Sequence, residues 1–221
     1  MKFIEYADRS VLFSALAQTV AQELRTELQT RNHASLAVPG GTTPAPFFEQ
    51  LNQVELAWDK VKVTLTDERL VDENHERSNA RLLKNSLLKN RANAATFIPL
   101  YSNDTLAGTE ALAPLKPLTV VVLGMGTDGH TASLFPNAAE LAAALDPNNS
   151  ALSSIIHAPN VLEPRISLTW SLLSSAQHLH ILITGAEKKA VLQQALADLS
   201  DTLTMPVRVV LQQNVTVHYA P

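Results

Sequence analysis

The sequence has no cysteine among its 221 residues, so disulfide bonds, thiolate metal sites and a cysteine nucleophile are excluded. It also has no apolar run that approaches the roughly 20 residues of a membrane-spanning helix. Residues 1–8 include Glu5 and Asp8, where a signal peptide would have its apolar core. We therefore expect a cytoplasmic protein with no membrane partner.

The sequence also has no excess of basic residues. The chain has 17 Lys and Arg against 21 Asp and Glu, a formal net charge of −4. Nucleic-acid binding proteins carry a basic stripe, so no nucleic-acid partner is expected. An anionic substrate is still compatible with this charge, because a few cations placed in a cleft matter more than the net value. No repeat, low-complexity tract or linker divides the chain, and we expect one α/β domain over residues 1–221. The sequence leaves the oligomeric state open, with a monomer as one possibility.

Strand and helix patterns alternate along the chain. Strands are predicted at residues 35–38, 61–65, 119–123, 154–157, 165–169, 178–184 and 207–211. Helices are predicted from Ser10, from Pro44, behind a Ser78 cap and over residues 187–199. This order predicts a Rossmann-like three-layer α/β fold, with a mostly parallel sheet flanked by helices on both faces. In such sheets ligands bind beyond the carboxyl ends of the strands, so a site is expected in the loops there.

A glycine-rich loop with a histidine follows the most strand-like run. It reads Gly124-Met125-Gly126-Thr127-Asp128-Gly129-His130-Thr131 and matches the G-x-G-x-x-G dinucleotide fingerprint. That interpretation is disfavoured because the loop follows a middle strand and no strand ending in an acid follows about 20 residues later. Gly126 and Gly129 instead favour backbone packed closely on a small ligand. An isolated histidine is more often structural, but His130 in this loop, with Asp128 beside it, is predicted to be a catalytic base.

The loop Pro39-Gly40-Gly41-Thr42-Thr43-Pro44 lies between a predicted strand and a helix. The backbone N–H groups of Gly40 and Gly41 and the hydroxyl of Thr42 are predicted to bind an anion at the helix start. A tight turn with no ligand is the alternative.

Charged side chains follow other predicted strands. Asp67 and Arg69 are candidates to orient a substrate, with Arg69 on an oxyanion or a phosphate; a surface ion pair is the alternative. Arg165 and Lys188 are candidate phosphate ligands, or else solvated charges. Lys188 falls in the first turn of a predicted helix, where a bound anion would remove its conflict with the helix dipole.

Two other motifs give weaker evidence of function. His178 and His180 share one strand face, at a spacing that could chelate a metal, but no third ligand is evident nearby. We interpret both histidines as structural and predict no metal site. The chain has no G-x-S-x-G elbow, so a Ser-His-Asp hydrolase of that type is not supported.

These clusters, in this order, resemble the 6-phosphogluconolactonase family. The matching stretches cover most of the chain and lie at residues 38–44, 63–71 with His75, Ser78 and Asn79, 121–136, 164–169 and 185–188. The most specific is Gly-Met-Gly-Thr-Asp-Gly-His-Thr-Ala-Ser-Leu-Phe-Pro at 124–136.

The resemblance implies hydrolysis of 6-phospho-D-glucono-1,5-lactone, a step of the pentose phosphate pathway, with no metal or organic cofactor. Around the substrate phosphate it implies Gly41, Thr42, Arg165 and Lys188. At the lactone carbonyl it implies His130, surrounded by Asp67, Arg69 and Asp128.

The family is similar in fold to glucosamine-6-phosphate deaminases, whose related G-x-G-x-D-G-H loop continues towards a glutamate used in ring opening. Residues 132–136 here are Ala-Ser-Leu-Phe-Pro and contain no carboxylate, which favours the lactonase. An aminosugar-phosphate deaminase or isomerase, and a sugar-phosphate sensor without turnover, remain the alternatives.

Overall fold

The computed structural model describes residues 1–102, 105–159 and 162–221. Within these ranges the strands are β1 (Lys2–Glu5), β2 (Ala34–Val38), β3 (Val61–Leu65), β4 (Asp67–Arg69), β5 (Thr96–Ile98), β6 (Tyr101–Ser102), β7 (Thr105–Leu106), β8 (Val120–Leu123), β9 (Ser153–Ile156), β10 (Arg165–Leu168), β11 (His178–Thr184) and β12 (Val215–Ala220). The α-helices are α1 (Arg9–Thr30), α2 (Ala45–Leu51), α3 (Asn79–Ser86), α4 (Thr109–Leu112), α5 (Leu141–Leu145), α6 (Trp170–Leu173), α7 (Ala186–Ala197) and α8 (Val207–Leu211).

The main sheet has seven strands in the order β1-β12-β11-β8-β2-β3-β5, and every neighbouring pair is parallel. The central strands β2 and β8 are buried along their whole length. Their apolar sequences have no polar alternation because both faces of a parallel sheet are covered.

Helices cover both faces of this sheet. The chain moves from β1 to β2 and β3 in one direction across the sheet, and from β8 to β11 and β12 in the other. Because parallel crossovers are right-handed, α1 and α2 lie on one face and α7 on the other. The predicted three-layer fold is confirmed. The direction changes between β2 and β8, which is the topological switch point where open α/β sheets bind ligands.

A second sheet has three antiparallel strands in the order β4-β10-β9. It joins the main sheet at Thr66, whose N–H donates to Val38 O at 2.8 Å and whose carbonyl accepts from Leu168 N at 2.9 Å. The prediction that residues 154–157 and 165–169 belong to the parallel sheet is therefore wrong. The connection between them is too short for the crossover that parallel strands need, and an antiparallel return forms instead.

The prediction of a strand at residues 207–211 is also wrong. This valine-rich segment is α8, which follows Pro206, and the last strand is β12. All five residues of α8 are buried, so the sequence has no alternation with which to separate a short helix from a strand. At the other end of the chain, Asp8 rather than Ser10 caps α1, accepting from Val11 N at 2.9 Å. In the described part of the chain, no helix combines the length and the apolar character needed to cross a membrane.

Candidate active site

An open cleft of about 410 Å³ lies at the switch point, beyond the carboxyl ends of β2 and β8. The loops after these two strands form facing walls, and the small antiparallel sheet and the start of α7 complete it. The predicted site residues that line the cleft are Gly40, Gly41, Asp67, Arg69, Gly126, His130, Arg165 and Lys188. Residues more than a hundred positions apart in sequence therefore face one space.

The glycine-rich loop after β8 folds back on itself and presents the His130 ring. Gly126 N donates to His130 O at 2.8 Å, and Thr131 Oγ1 donates to Gly124 O at 2.8 Å. A Cβ at Gly126 would lie 2.1 Å from His130 Nδ1, so only glycine leaves room for the imidazole. Gly129 has φ +79°, a backbone conformation that side chains disfavour. The glycines therefore serve the placement of one histidine.

Asp128 orients the imidazole. Its Oδ1 lies 2.5 Å from His130 Nδ1 and also accepts from His130 N at 3.1 Å. A carboxylate can only accept, so the bond assigns the proton to Nδ1 of the neutral ring and leaves the Nε2 lone pair available. Burial acts to raise the pKa of the Asp128 carboxyl, but the hydrogen bonds and charge of His130 outweigh it and leave that pKa below its ordinary value.

Phe135 packs against the other side of this histidine. The two ring centroids are 4.2 Å apart at an interplanar angle of 36°, and Phe135 also lines the cleft. The ring and the Asp128 carboxylate together restrict the imidazole to one orientation.

Three cations face the cleft. Arg69 and Arg165 are partners in the β4–β10 register, and each has a buried Nε without a hydrogen-bond partner in the described structure. Burial, and then the nearby charge of Arg69, lowers the pKa of Arg165. Lys188 lies in the first turn of α7, and burial lowers its pKa although Glu187 and Asp128 act in the opposite direction. Two adjacent guanidinium groups and a lysine at a helix start form an arrangement that an anion would stabilise.

The loop after β2 faces these cations. Gly40 and Gly41 line the cleft, and Gly41 has φ +89° with open space where a side chain would begin. Thr42 is exposed and lies outside the described lining, where Thr43 and Pro44 are found instead. The predicted contribution of the Thr42 hydroxyl therefore has no support in this arrangement, whereas the backbone of the two glycines does.

Asp67 belongs to the cleft but not to the histidine pair. Its Oδ2 accepts from Ser133 Oγ at 2.6 Å, and its Oδ1 accepts from Thr66 Oγ1 at 3.3 Å. Asp128, and not Asp67, makes the carboxylate contact with His130. No group of three or more His, Asp and Glu residues suited to a metal ion is found within the described residues.

Comparison with known proteins identifies the family of this chain. The family model for glucosamine-6-phosphate isomerases/6-phosphogluconolactonase matches residues 7–219. The chain belongs to this family. A 6-phosphogluconolactonase of Rhizobium meliloti (strain 1021) is 43% identical over 98% of this chain and 97% of its own length. One of Pseudomonas putida is 40% identical over 100% of this chain and 93% of its own length. The crystal structure of a 6-phosphogluconolactonase from Shewanella baltica OS155 superposes with a TM-score of 0.93, at 35% identity over 100% of this chain and 98% of that one.

Three of the cleft residues that were not predicted as site residues contact predicted ones. Asn79, Ser133 and Phe135 all line the cleft. Ser133 and Phe135 lie in the segment just after His130, and Asn79 lies in one of the stretches that resemble the family, but no charge or spacing marks them. They matter through their contacts with Asp67 and His130, which only the folded chain brings together.

Proposed function

We propose that this chain is a carboxylic ester hydrolase that converts 6-phospho-D-glucono-1,5-lactone to 6-phospho-D-gluconate, in the oxidative branch of the pentose phosphate pathway. Membership of the family and the names of the relatives support this reaction. The observation that carries it is a histidine, oriented by Asp128, beside three cations in one cleft. An ester of a phosphorylated sugar needs both a base and an anion clamp.

The phosphate is bound by the cationic end of the cleft. Lys188, Arg165 and the backbone of Gly41 hold it, and their binding energy fixes the lactone carbon relative to His130. Arg69 joins this clamp rather than the oxyanion site, because it lies beside Arg165 in the strand register and two adjacent guanidinium groups gain most from a shared anion. This assignment chooses between the two roles that the sequence left open for Arg69.

His130 is the general base. Its Nε2 takes a proton from water as the water oxygen attacks C1, and Asp128 stabilises the imidazolium that forms. When the bond between C1 and the ring oxygen breaks, the imidazolium returns the proton to that oxygen. The same residue serves both steps, and the product carboxylic acid ionises in water. Gly124 and Met125 line the cleft, and their backbone N–H groups are the candidate donors for the oxyanion.

No metal or organic cofactor takes part in this scheme, since the base and the electrostatic groups come from the chain itself. We place the reaction in the cytoplasm and in a single α/β domain; the charged sugar phosphate stays in the compartment where it is made. Neither nucleic acid nor membrane has a role in it.

The test is an NMR time course with freshly generated 6-phosphogluconolactone, corrected for spontaneous hydrolysis. The expected result is loss of the lactone signals at a rate proportional to enzyme concentration. Ammonia release from glucosamine 6-phosphate would instead support a deaminase, against which the absence of a carboxylate in residues 131–136 argues. Binding of the lactone without turnover would support a sensor.

A further inference from the structure

Asn79 is a buried amide on the wall of the cleft with no role in the scheme above. It is the first residue of α3, it is only 2% exposed, and it lines the cleft beside Gly40 and Asp67. Its backbone N–H donates to Glu68 Oε1 at 2.8 Å. Glu68 also accepts from Arg69 N at 2.7 Å and Ala80 N at 2.6 Å, so a buried carboxylate fixes the start of α3 to β4.

The side chain of Asn79 is fixed as firmly as its backbone. Its Nδ2 donates to Asp67 O at 2.9 Å, which determines which end of the carboxamide is the oxygen. A Cβ built on Gly40 would lie 2.0 Å from both Cγ and Oδ1 of Asn79. The carboxamide therefore lies directly against the backbone of Gly40, and glycine is required there because the amide occupies the space.

The carboxamide oxygen of Asn79 is an unused hydrogen-bond acceptor. Among the residues that the structure describes, no donor bonds to Asn79 Oδ1, although Nδ2 and the backbone N–H are both satisfied. Asn79 Oδ1 is not among the unpaired polar atoms that are buried from solvent, so it is accessible from the cleft that Asn79 lines. An oriented acceptor on the wall of a sugar-phosphate cleft matches an O–H donor, and the cations Arg69 and Arg165 already face the phosphate.

We propose that Asn79 Oδ1 accepts a hydrogen bond from a ring hydroxyl of the lactone, which makes Asn79 a specificity-determining residue. This inference rests on the proposed function and deepens it. Glu68 and Gly40 are positioning residues for that amide: Glu68 fixes the backbone, and Gly40 provides the space. The hydroxyl lies between the phosphate and the reacting carbon, at C2, C3 or C4.

The test combines enzyme and substrate changes. The wild type and Asn79→Ala are assayed with 6-phosphogluconolactone and with its 2-deoxy, 3-deoxy and 4-deoxy analogues, generated in situ from the deoxy sugar phosphates. In the wild type, removal of the recognised hydroxyl lowers kcat/KM by roughly 3- to 12-fold, the value of one neutral hydrogen bond. Asn79→Ala shows a similar loss with the parent lactone and no further loss with that one analogue. The other analogues lose activity equally with both enzymes.

Asn52→Ala is the matched control. Asn52 is also 2% exposed, and its Nδ2 donates to a backbone carbonyl, Ser86 O at 2.6 Å, but it lies outside the cleft lining. It is expected to lower the thermal midpoint without changing the ratio of rates between lactones. Where Asn79→Ala does not fold, Asn79→Ser is used, because serine is too short to span from Asp67 O to the cleft.

Two outcomes distinguish a failure of the Asn79 proposal from a failure of the proposed function. Equal losses with all four lactones in the Asn79 variant would show a merely structural amide and overturn the role of Asn79, while wild-type turnover leaves the proposed function intact. If the wild type turns over none of the lactones, the proposed function fails and this inference fails with it.

Discussion

Two histidine–carboxylate contacts lie in different parts of the molecule, one in the cleft and one between the main sheet and helix α1. In the cleft, His130 bonds to Asp128 through Nδ1, and its side chain is 29% exposed. Between the sheet and the helix, His180 on β11 bonds to Glu23 on α1 through Nε2 at 2.8 Å, and its side chain is 4% exposed. The residue types are the same, but the surroundings differ, because His130 lines an open cleft whereas His180 is buried.

The buried pair belongs to a chain of hydrogen bonds with no free end. His180 Nδ1 lies 3.1 Å from His218 Nε2, and His218 Nδ1 lies 2.9 Å from the hydroxyl of Tyr6. The carboxylate of Glu23 can only accept, so His180 Nε2 donates in that bond. With one proton on each ring, His218 then donates to His180 and Tyr6 donates to His218. Every ring nitrogen of the two histidines is used. His130 differs because its Nε2 faces the cleft.

The largest expected effect comes from mutating each of the two histidines in turn. His130→Ala is expected to lower kcat by at least roughly 10²–10⁴-fold, the value of a lost general base, with little change in stability. His180→Gln is expected to lower the urea midpoint, because it breaks a buried network, while kcat stays close to the wild-type value. Steady-state kinetics on fresh lactone and urea unfolding measure both. Near-normal kcat in His130→Ala would refute the assignment of the base.

The glycine beneath the imidazole gives the next effect. Gly126→Ala places a methyl group about where His130 Nδ1 and Asp128 Oδ1 lie, at 2.1 and 2.5 Å. The ring must move, and a displacement of about 1 Å is enough to cost roughly 10²-fold in kcat. Gly108→Ala is the control, since open space surrounds the new Cβ there and Gly108 lies outside the cleft lining. Equal activity of the two variants would mean that the loop tolerates a displaced histidine.

The glycine-rich loop with His130 could be predicted from local sequence, whereas the other contacts of the site depend on tertiary packing. Asp128, His130 and their glycines lie within seven residues, so their proximity follows from the loop itself. Ser133 meets Asp67 across 66 positions, and Asn79 meets Gly40 only through the packing of α3 on the loop after β2. No local pattern reports such pairs. The same limit explains α8, where burial on all sides removes the periodicity that distinguishes a helix from a strand.

Lys188 extends the comparison to the substrate side, because it lines the cleft and has no part in the proposed proton transfer. Lys188→Ala removes one charge-assisted hydrogen bond to the phosphate and is expected to raise KM by roughly 10- to 100-fold, with a smaller change in kcat. Lys189→Ala is its neighbour control, since Lys189 pairs with Glu5 at 2.9 Å on the surface. Steady-state kinetics of both variants decide the point. Unchanged KM in Lys188→Ala would remove this lysine from the phosphate clamp.

The last expected effect acts on stability rather than on catalysis and concerns its pH dependence. Burial, and then the charges of His180 and Lys2, lowers the pKa of His218 from 6.5 to about 3. Burial also raises the pKa of Tyr6, which keeps its hydroxyl proton for His218. The unfolded chain therefore binds a proton near pH 6.5 that the folded chain resists. This contribution is fully present above about pH 6.5 and is lost as pH falls towards 3, by up to about 1.4 kcal/mol per pH unit.

Urea unfolding of His218→Gln between pH 7.5 and 4 measures this contribution. Glutamine keeps a donor for His180 but does not titrate, so the variant is expected to be less stable than the wild type at pH 7.5 and to lose stability less steeply with acid. His33→Gln, at an exposed histidine, is the control and keeps the wild-type slope. Parallel pH profiles for all three proteins would mean that the His218 ring takes up its proton in the folded state as readily as in the unfolded one.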